Sequence, residues 1–367
     1  MKILFWVQHL LGIGHVARAA ALTDALIKAG FKVTVAFGGQ PVEAVRFRAE
    51  MRYLPAIRAT DQTFAKLVAV DGRPLARTLA ERTARLAEIG GDVAPDVVLI
   101  EAWPFGRRPF SDEIEAMLAA TDAFTAVSVR DILQTRRKPG RTQETRRRLE
   151  EHADLVLVHS DPRMVTLDAT FSPARNLAVP VEHTGYVAQP GKVRPGPSHD
   201  IVVSVGGGAF GGPLVRAALE AAAMDPERHW CISTGPNLPE FERPPAGDNV
   251  EIVPYLSPLA DHLAGARVSV SQAGYNTVTD VLRAQGYGTR AVLVPSDTGD
   301  QTEQLSRARA LAKAGAVVSL PESRLTPKAL LAAIAKAPLP PVHDVRLDGA
   351  ERTAALLKDA VARRLAA

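Results

Sequence analysis

Short apolar runs alternate with Ala-rich amphipathic stretches along the whole of this 367-residue chain, and few folds accept that pattern. The apolar runs fall at 3–7, 32–37, 96–100, 125–129 and 155–158. They resume at 201–205, 230–233, 250–253, 267–270 and 291–294. Helical patterns at 16–29, 73–89 and 212–223 lie between them. A short strand that is apolar on both faces must be covered on both. Strands of this kind separated by helices therefore predict α/β architecture with doubly wound parallel sheets. The length suits about two domains. Residues 189–200, QPGKVRPGPSHD, are proline- and glycine-rich, which is linker chemistry. The expected division is a first Rossmann-like domain at 1–188 and a second at 201–344. A terminal segment, 345–367, with its helix at 349–365, is expected to pack back onto the first.

Composition excludes several function classes. Forty-four basic residues against forty acidic ones give a net charge of +4, and aromatics are only 5%. That leaves neither a strong basic field nor many stacking platforms, so no nucleic-acid partner is expected. Cys231 is the only cysteine, which excludes an intrachain disulfide and a Cys-based zinc site. Its setting, HWCIST, reads as a strand burying a structural thiol. No run approaches the roughly 18 apolar residues of a membrane span. The opening MKILFWVQHLLGIGH reads as a strand entering a turn and not as a signal peptide, so a cytoplasmic location is expected.

Two glycine-rich turns follow strands. Gly12-Ile13-Gly14-His15-Val16-Ala17 fits the dinucleotide pattern G-x-G-x-x-A, but the second strand ends Val35-Ala36-Phe37-Gly38-Gly39. The carboxylate that would hold a ribose there is missing, which disfavours a nicotinamide enzyme. His15 opens a helix at the carboxyl edge of a sheet, where ligands of open α/β folds bind. It can serve as a general base, or be a capping or core histidine. Gly206-Gly207-Gly208-Ala209-Phe210-Gly211-Gly212 is the second turn, a place for phosphate or interdomain contact. After it come Thr234-Gly235 at a strand end, Tyr255-Leu256 after the next, and Ser271-Gln272-Ala273-Gly274 before a helix starting near Asn276 or Thr277. Helix N-termini bind anions, and Asp280 in the first turns can accept from ribose hydroxyls. Glu303-Gln304 open a further helix and offer polar groups to a sugar.

At these residues the chain resembles GT-B glycosyltransferases, and most of all the branch of the bacterial lipid II N-acetylglucosaminyltransferase and the UDP-glycosyltransferases. Gly274-Tyr275-Asn276-Thr277-Val278-Thr279-Asp280 is similar to the donor motif G-x-x-[ST]-x-x-[ED], with Asp280 at the ribose-binding position. Gln272 stands where many relatives carry a phosphate-binding histidine. Glu303 through Ala308 resembles [DEQ]-Q-x-x-N-A, whose first two residues contact the donor sugar; Asp300-Gln301 is a second register for that pair. By the same resemblance His15 is the acceptor base and Tyr255-Leu256 reads the nucleotide base through its backbone. The implied fold is two Rossmann-like domains facing across a cleft. The implied donor set is Gly14, Gly207, Gly208, Thr234, Gly235, Tyr255, Leu256, Gln272, Ala273, Gly274, Asn276, Thr277, Asp280, Glu303 and Gln304.

The implied reaction is inverting sugar transfer from a UDP-sugar co-substrate to an acceptor hydroxyl. The acceptor is a small molecule, a glycan or a lipid-linked species in envelope, polysaccharide or glycoconjugate synthesis. No cofactor is expected, and no metal: the sequence has no D-x-D pair, so helix N-termini and backbone N–H groups would stabilise the leaving diphosphate. Glu101 ends the 96–100 run and is either the carboxylate that orients His15 or a solvated loop acid. Arg136, Arg137, Lys138, Arg141, Arg146, Arg147 and Arg148 form a basic stretch that either meets an anionic acceptor or a membrane surface, or is a solvated helix face. Two rivals remain. Gly12 to Arg18 also resembles the G-x-G-H-x-x-R of a UDP-sugar hydrolase, and a non-catalytic nucleotide-sugar sensor would share the donor site.

Overall fold

The computed structural model describes residues 1–60, 66–134, 139–205, 211–235, 245–297, 302–340 and 345–366. The chain forms two compact units. The first comprises Met1–Pro162, Thr166–Ala188 and Asp348–Ala367; the second comprises Arg163–Val165 and Gln189–Leu347.

The first unit is built on strands β1 (Lys2–Gln8), β2 (Lys32–Gly38), β3 (Glu50–Leu54), the antiparallel pair β4 (Ile57–Ala59) and β5 (Leu67–Ala69), β6 (Val97–Glu101), β7 (Phe124–Arg130), β8 (Leu155–His159) and β9 (Val181–His183). Its main sheet is parallel throughout, in the order β3-β2-β1-β6-β7-β8-β9. Six of the seven residues of β1 are buried, as a strand covered on both faces requires. Helices α1 (Gly14–Lys28), α2 (Leu75–Val93), α3 (Ser111–Ala119) and α4 (Arg141–His152) follow strands of this unit. One core joins Ile3, Phe5 and Val7 to Leu22 and Leu26 of α1; the other joins Leu4 and Trp6 to Leu86, Ile114 and Met117.

The second unit carries β10 (His199–Ser204), β11 (Trp230–Ser233), β12 (Val250–Val253), β13 (Ala266–Ser271), β14 (Arg290–Leu293) and β15 (Val318–Ser319), with α5 (Gly212–Ala223), α6 (Leu259–Ala264), α7 (Tyr275–Gln285), α8 (Thr302–Lys313) and α9 (Pro327–Lys336). The sheet is again parallel, in the order β12-β11-β10-β13-β14-β15. On one face Ile201, Val203, Trp230 and Val270 pack against α5 and α9. Cys231 is buried in β11, and desolvation pushes its thiol up to about 11, so it is inert as a nucleophile.

The last helix, α10 (Gly349–Ala366), belongs to the first unit and packs on α1. It puts Ala350, Ala354, Leu357 and Val361 into the same core as Leu22 and Leu26. A side chain at Gly349 would run into the Gly185 and Tyr186 carbonyls, so the entry to α10 requires glycine. Among the described residues, no helix is long and apolar enough to cross a membrane.

Candidate functional site

In both sheets the strand order reverses beside the first strand, between β1 and β6 and between β10 and β13. Loops at the carboxyl ends diverge there and leave room for a ligand. The candidate residues cluster at these two points.

In the first unit, β1 ends at Gln8 and α1 begins at Gly14. His15 is half-buried one residue into that helix, and its Nε2 lies 3.0 Å from the Gln8 carbonyl oxygen. A carbonyl only accepts, so the ring proton sits on Nε2 and the Nδ1 lone pair is left to take a proton. Burial holds the His15 pKa well below the ordinary histidine value, reinforced by the positive charges of Arg107 and Arg18 and by His9, whose ring stacks 5.6 Å away. The imidazole is therefore neutral near neutrality, as a base must be.

Glu101 corrects the expectation made from sequence. It is neither a solvated loop acid nor the partner of His15. It is 2% exposed at the end of β6, where its Oε1 accepts from Arg18 Nη2 at 2.8 Å and its Oε2 lies 3.7 Å from Arg107. A carboxylate withdrawn from water goes to the strongest charged donor in reach, which here is guanidinium. Glu101 thus positions Arg18 and Arg107, whose charges add to the effect of burial on His15. Arg107 adopts left-handed backbone (φ 58°), as does Ala102 (φ 63°), so the segment after β6 holds two strained residues beside this cluster.

The end of β1 is itself braced from below. Arg82 of α2 is fully buried and donates to both Glu113 oxygens (2.7 and 2.6 Å), to Gln8 Oε1 (2.6 Å) and to the Pro55 carbonyl (2.8 Å). Trp6 Nε1 donates to Glu113 Oε1 at 3.0 Å, and Gln8 Nε2 to the His9 carbonyl at 2.8 Å. The residue whose carbonyl aims His15 is therefore pinned by its own side chain.

In the second unit, the candidates occupy the carboxyl ends of β11, β12 and β13 and the opening of α8. Thr234 N–H donates to the Val253 carbonyl (3.0 Å), with Gly235 in positive-φ backbone (76°). Tyr255 is 59% exposed and Leu256 is buried. Gln272 N–H donates to the Ser204 carbonyl at 3.2 Å, tying the end of β13 to that of β10. Gly274 is the N-cap of α7 in extended backbone, and no side chain caps the helix. Helix formation starts at Tyr275, one residue before the expected Asn276, and Thr277 completes the first turn. An uncapped N-terminus of an eleven-residue helix presents donors to an anion. The Ser271 hydroxyl, buried at the end of β13, has no partner among the described residues.

Gln304 acts as a staple, its Oε1 accepting from Ala273 N–H (3.2 Å) and Ser296 N–H (3.3 Å). Oε1 is thus used within the protein by both turns. Arg307, buried in α8, donates to the Ala273 carbonyl at 2.7 Å and sets the same turn. Its structural role depends on a contact 34 residues away. Glu303 lies half-buried in the first turn of α8. Gly207, Gly208, Asp300 and Gln301 fall outside the described residues.

Asp280 is the most perturbed acid of this group. Burial raises its pKa to about 7; Arg283, 4.0 Å away, lowers it and Asp261 raises it. The folded chain holds this proton more tightly than the unfolded chain does, so the associated stability is present at acidic pH and is lost as pH rises through 7.

The basic stretch is largely self-neutralised where it is described. Arg146 and Arg147 pair with Glu150 and Glu151 one turn along α4, and Arg148 pairs with Glu144 and Glu115. Arg136, Arg137 and Lys138 lie outside the described residues.

The whole chain superposes on the solved glycotransferase of kitacinnamycin with a TM-score of 0.65 and 18% identity, covering 99% of this chain and 97% of that one. The chain has the GT-B fold. Within that GT-B frame, residues 202–354 match the model of the glycosyltransferase family 28 C-terminal domain, the segment holding every second-unit candidate. A UDP-N-acetylglucosamine--N-acetylmuramyl-(pentapeptide) pyrophosphoryl-undecaprenol N-acetylglucosamine transferase of Limosilactobacillus fermentum is 28% identical over 137 residues, 35% of this chain and 36% of that protein. The chain thus spans about a third of that relative. An uncharacterized glycosyltransferase of Methanosarcina acetivorans is 23% identical over 336 residues, covering 86% and 82% of the two chains.

Proposed function

We propose that this protein is a metal-independent, inverting glycosyltransferase that moves a sugar from a UDP-sugar to an acceptor hydroxyl. The observation carrying this reading is the uncapped start of α7, flanked by the Gln304-stapled turns after β13 and β14, within the segment that matches the family 28 model. The N-terminus of α7 receives the diphosphate, Asp280 the ribose hydroxyls, the Tyr255-Leu256 backbone the base, and Glu303 with Gln304 Nε2 the sugar. His15 Nδ1 takes the acceptor proton as the acceptor oxygen bonds to the anomeric carbon and the diphosphate oxygen leaves. The relative named for an undecaprenol-linked acceptor supports a lipid-linked acceptor, and with it work at a membrane surface. No cofactor takes part.

The test is a thermal-shift series of nucleotide sugars, in which a donor at a hundred times its dissociation constant adds about 2.7 kcal/mol of stability. No stabilisation by any nucleoside diphosphate sugar refutes the donor site. Turnover measured well below the melting midpoint should survive EDTA; loss that manganese or magnesium restores would refute metal independence. Donor alone separates the rival reaction: rapid stoichiometric release of free sugar without acceptor would identify a hydrolase.

Asp280 gives a sharper check. An ionised carboxylate accepts hydroxyl donors more strongly than a protonated one, so donor affinity should rise by up to about tenfold per pH unit on approaching 7 from below and level off above it. Asp280→Asn should flatten that profile and weaken binding by about 1.5–3 kcal/mol. Calorimetry showing the same slope in both proteins would remove Asp280 from the site.

A further inference from the structure

At the amino ends of β10, β11 and β12, the ends away from the candidate donor residues, three different metal-binding side chains meet. His199 opens β10, Cys231 is the second residue of β11, and Glu251, paired directly with Cys231, is the second residue of β12. One ligand atom from each lies within 4.8 Å of the other two. His199 Nε2 is 3.1 Å from Glu251 Oε2. The other ring nitrogen, Nδ1, is 3.3 Å from the Pro197 carbonyl oxygen, which can only accept. With the ring proton on Nε2 the His199–Glu251 contact is an ordinary hydrogen bond; with the proton on Nδ1, donated to that carbonyl, the Nε2 lone pair and the carboxylate oxygen converge as two ligand atoms for a metal ion.

The third donor favours the metal. A thiol beside an imidazole and a carboxylate is the mixed soft and borderline set that zinc accepts and magnesium or calcium does not. Zinc bond lengths of about 2.0–2.3 Å place tetrahedral ligand atoms roughly 3.3–3.6 Å apart. The His199–Glu251 edge is close to that, and the exposed Glu251 side chain is free to close the remainder. A backbone carbonyl holding the second ring nitrogen is the usual outer support of a zinc-bound histidine. The single cysteine does exclude sites built from cysteine pairs, but not a mixed set drawn from three strands.

We propose that His199, Cys231 and Glu251 form a three-ligand zinc site with water in the fourth position, bracing the amino end of the second sheet. Binding converts the thiol to a zinc-bound thiolate and releases its proton to solvent; no electron moves. The site lies at the opposite ends of β11 and β12 from Thr234 and Tyr255, so it bears on the stability of the second unit and not on sugar transfer.

The test is titration of the chelator-stripped full-length protein with cobalt, then zinc. One equivalent of cobalt should produce sulfur-to-cobalt charge-transfer absorption and tetrahedral visible bands, both displaced by zinc. Cys231→Ser should abolish the charge-transfer band, and both Cys231→Ser and His199→Gln should weaken zinc binding by about a hundredfold or more. Glu251→Gln, on an exposed side chain, should weaken it by at least tenfold with the circular dichroism unchanged. UDP-sugar binding should be the same in all four proteins. Absence of the charge-transfer band, or zinc affinity in Cys231→Ser equal to wild type, would overturn the site and leave a His199–Glu251 hydrogen bond over a buried thiol.

Discussion

Replacing His15 with alanine is expected to lower turnover about a hundredfold or more while donor affinity stays nearly unchanged. The separation follows from placement: His15 is in the first unit and the residues assigned to the donor, Gly14 apart, are in the second. The alternative, a histidine that only fills space at the start of α1, makes a different prediction. Activity would then be lost in proportion to the unfolded fraction and would return on cooling. The pH profile adds a readout that packing cannot mimic. His15 titrates well below the ordinary histidine range because of burial, Arg107 and Arg18, so the acid limb of kcat/KM should lie below pH 6.5. Arg107→Gln removes one of those charges and should move the limb upward. A limb that does not move would detach His15 from the chemistry. The same shift fixes the sign for stability: the unfolded chain binds this proton more tightly, so the contribution of neutral His15 is lost as pH falls below the unfolded value.

Arg82→Met is expected to cost about 3–5 kcal/mol of first-unit stability, because it leaves the Glu113 carboxylate buried without its cation. Arg82 and Glu113 are 0% and 1% exposed at their side chains, so solvent screens neither. The double variant Arg82→Met/Glu113→Leu should recover part of the loss, since no uncompensated charge is then buried. Trp6 Nε1 and Gln8 Oε1 would still lack their partners, which limits the recovery. Equal melting behaviour of the single and double variants would show that the ion pair is not the origin of the effect. Urea unfolding followed at Trp6 or Trp103, both buried in the first unit, reports on this unit.

Signals confined to a few neighbouring residues were readable from the sequence. The apolar runs at 3–7 and 230–233 became β1 and β11 because burial on both faces leaves an unbroken apolar string. The Gly274-to-Asp280 motif is one turn and one helix, so its pattern reads within seven residues, even though Gln304 and Arg307 hold the turn in front of it. Strands with exposed positions were missed: β3 reads EMRYL and alternates poorly, and β15 is two half-buried residues. Contacts between distant residues were missed for a different reason. Nothing near Glu101 in sequence indicates that Arg18, 83 residues earlier, takes its carboxylate, nor that Arg82 and Glu113 share a buried network with Trp6 and Gln8. Composition counts such charges but does not pair them.

The position of α10 has a consequence for how the molecule is made. A nascent chain leaves the ribosome amino end first, and every residue of the second unit emerges before Ala350, Ala354, Leu357 and Val361 do. Until then the part of this core that α10 closes lacks those four side chains, so the unit synthesised first is completed last. A premature stop just ahead of residue 349 would leave the second unit's sequence whole and the first unit open on one side, and aggregation of such a product would begin at that open side.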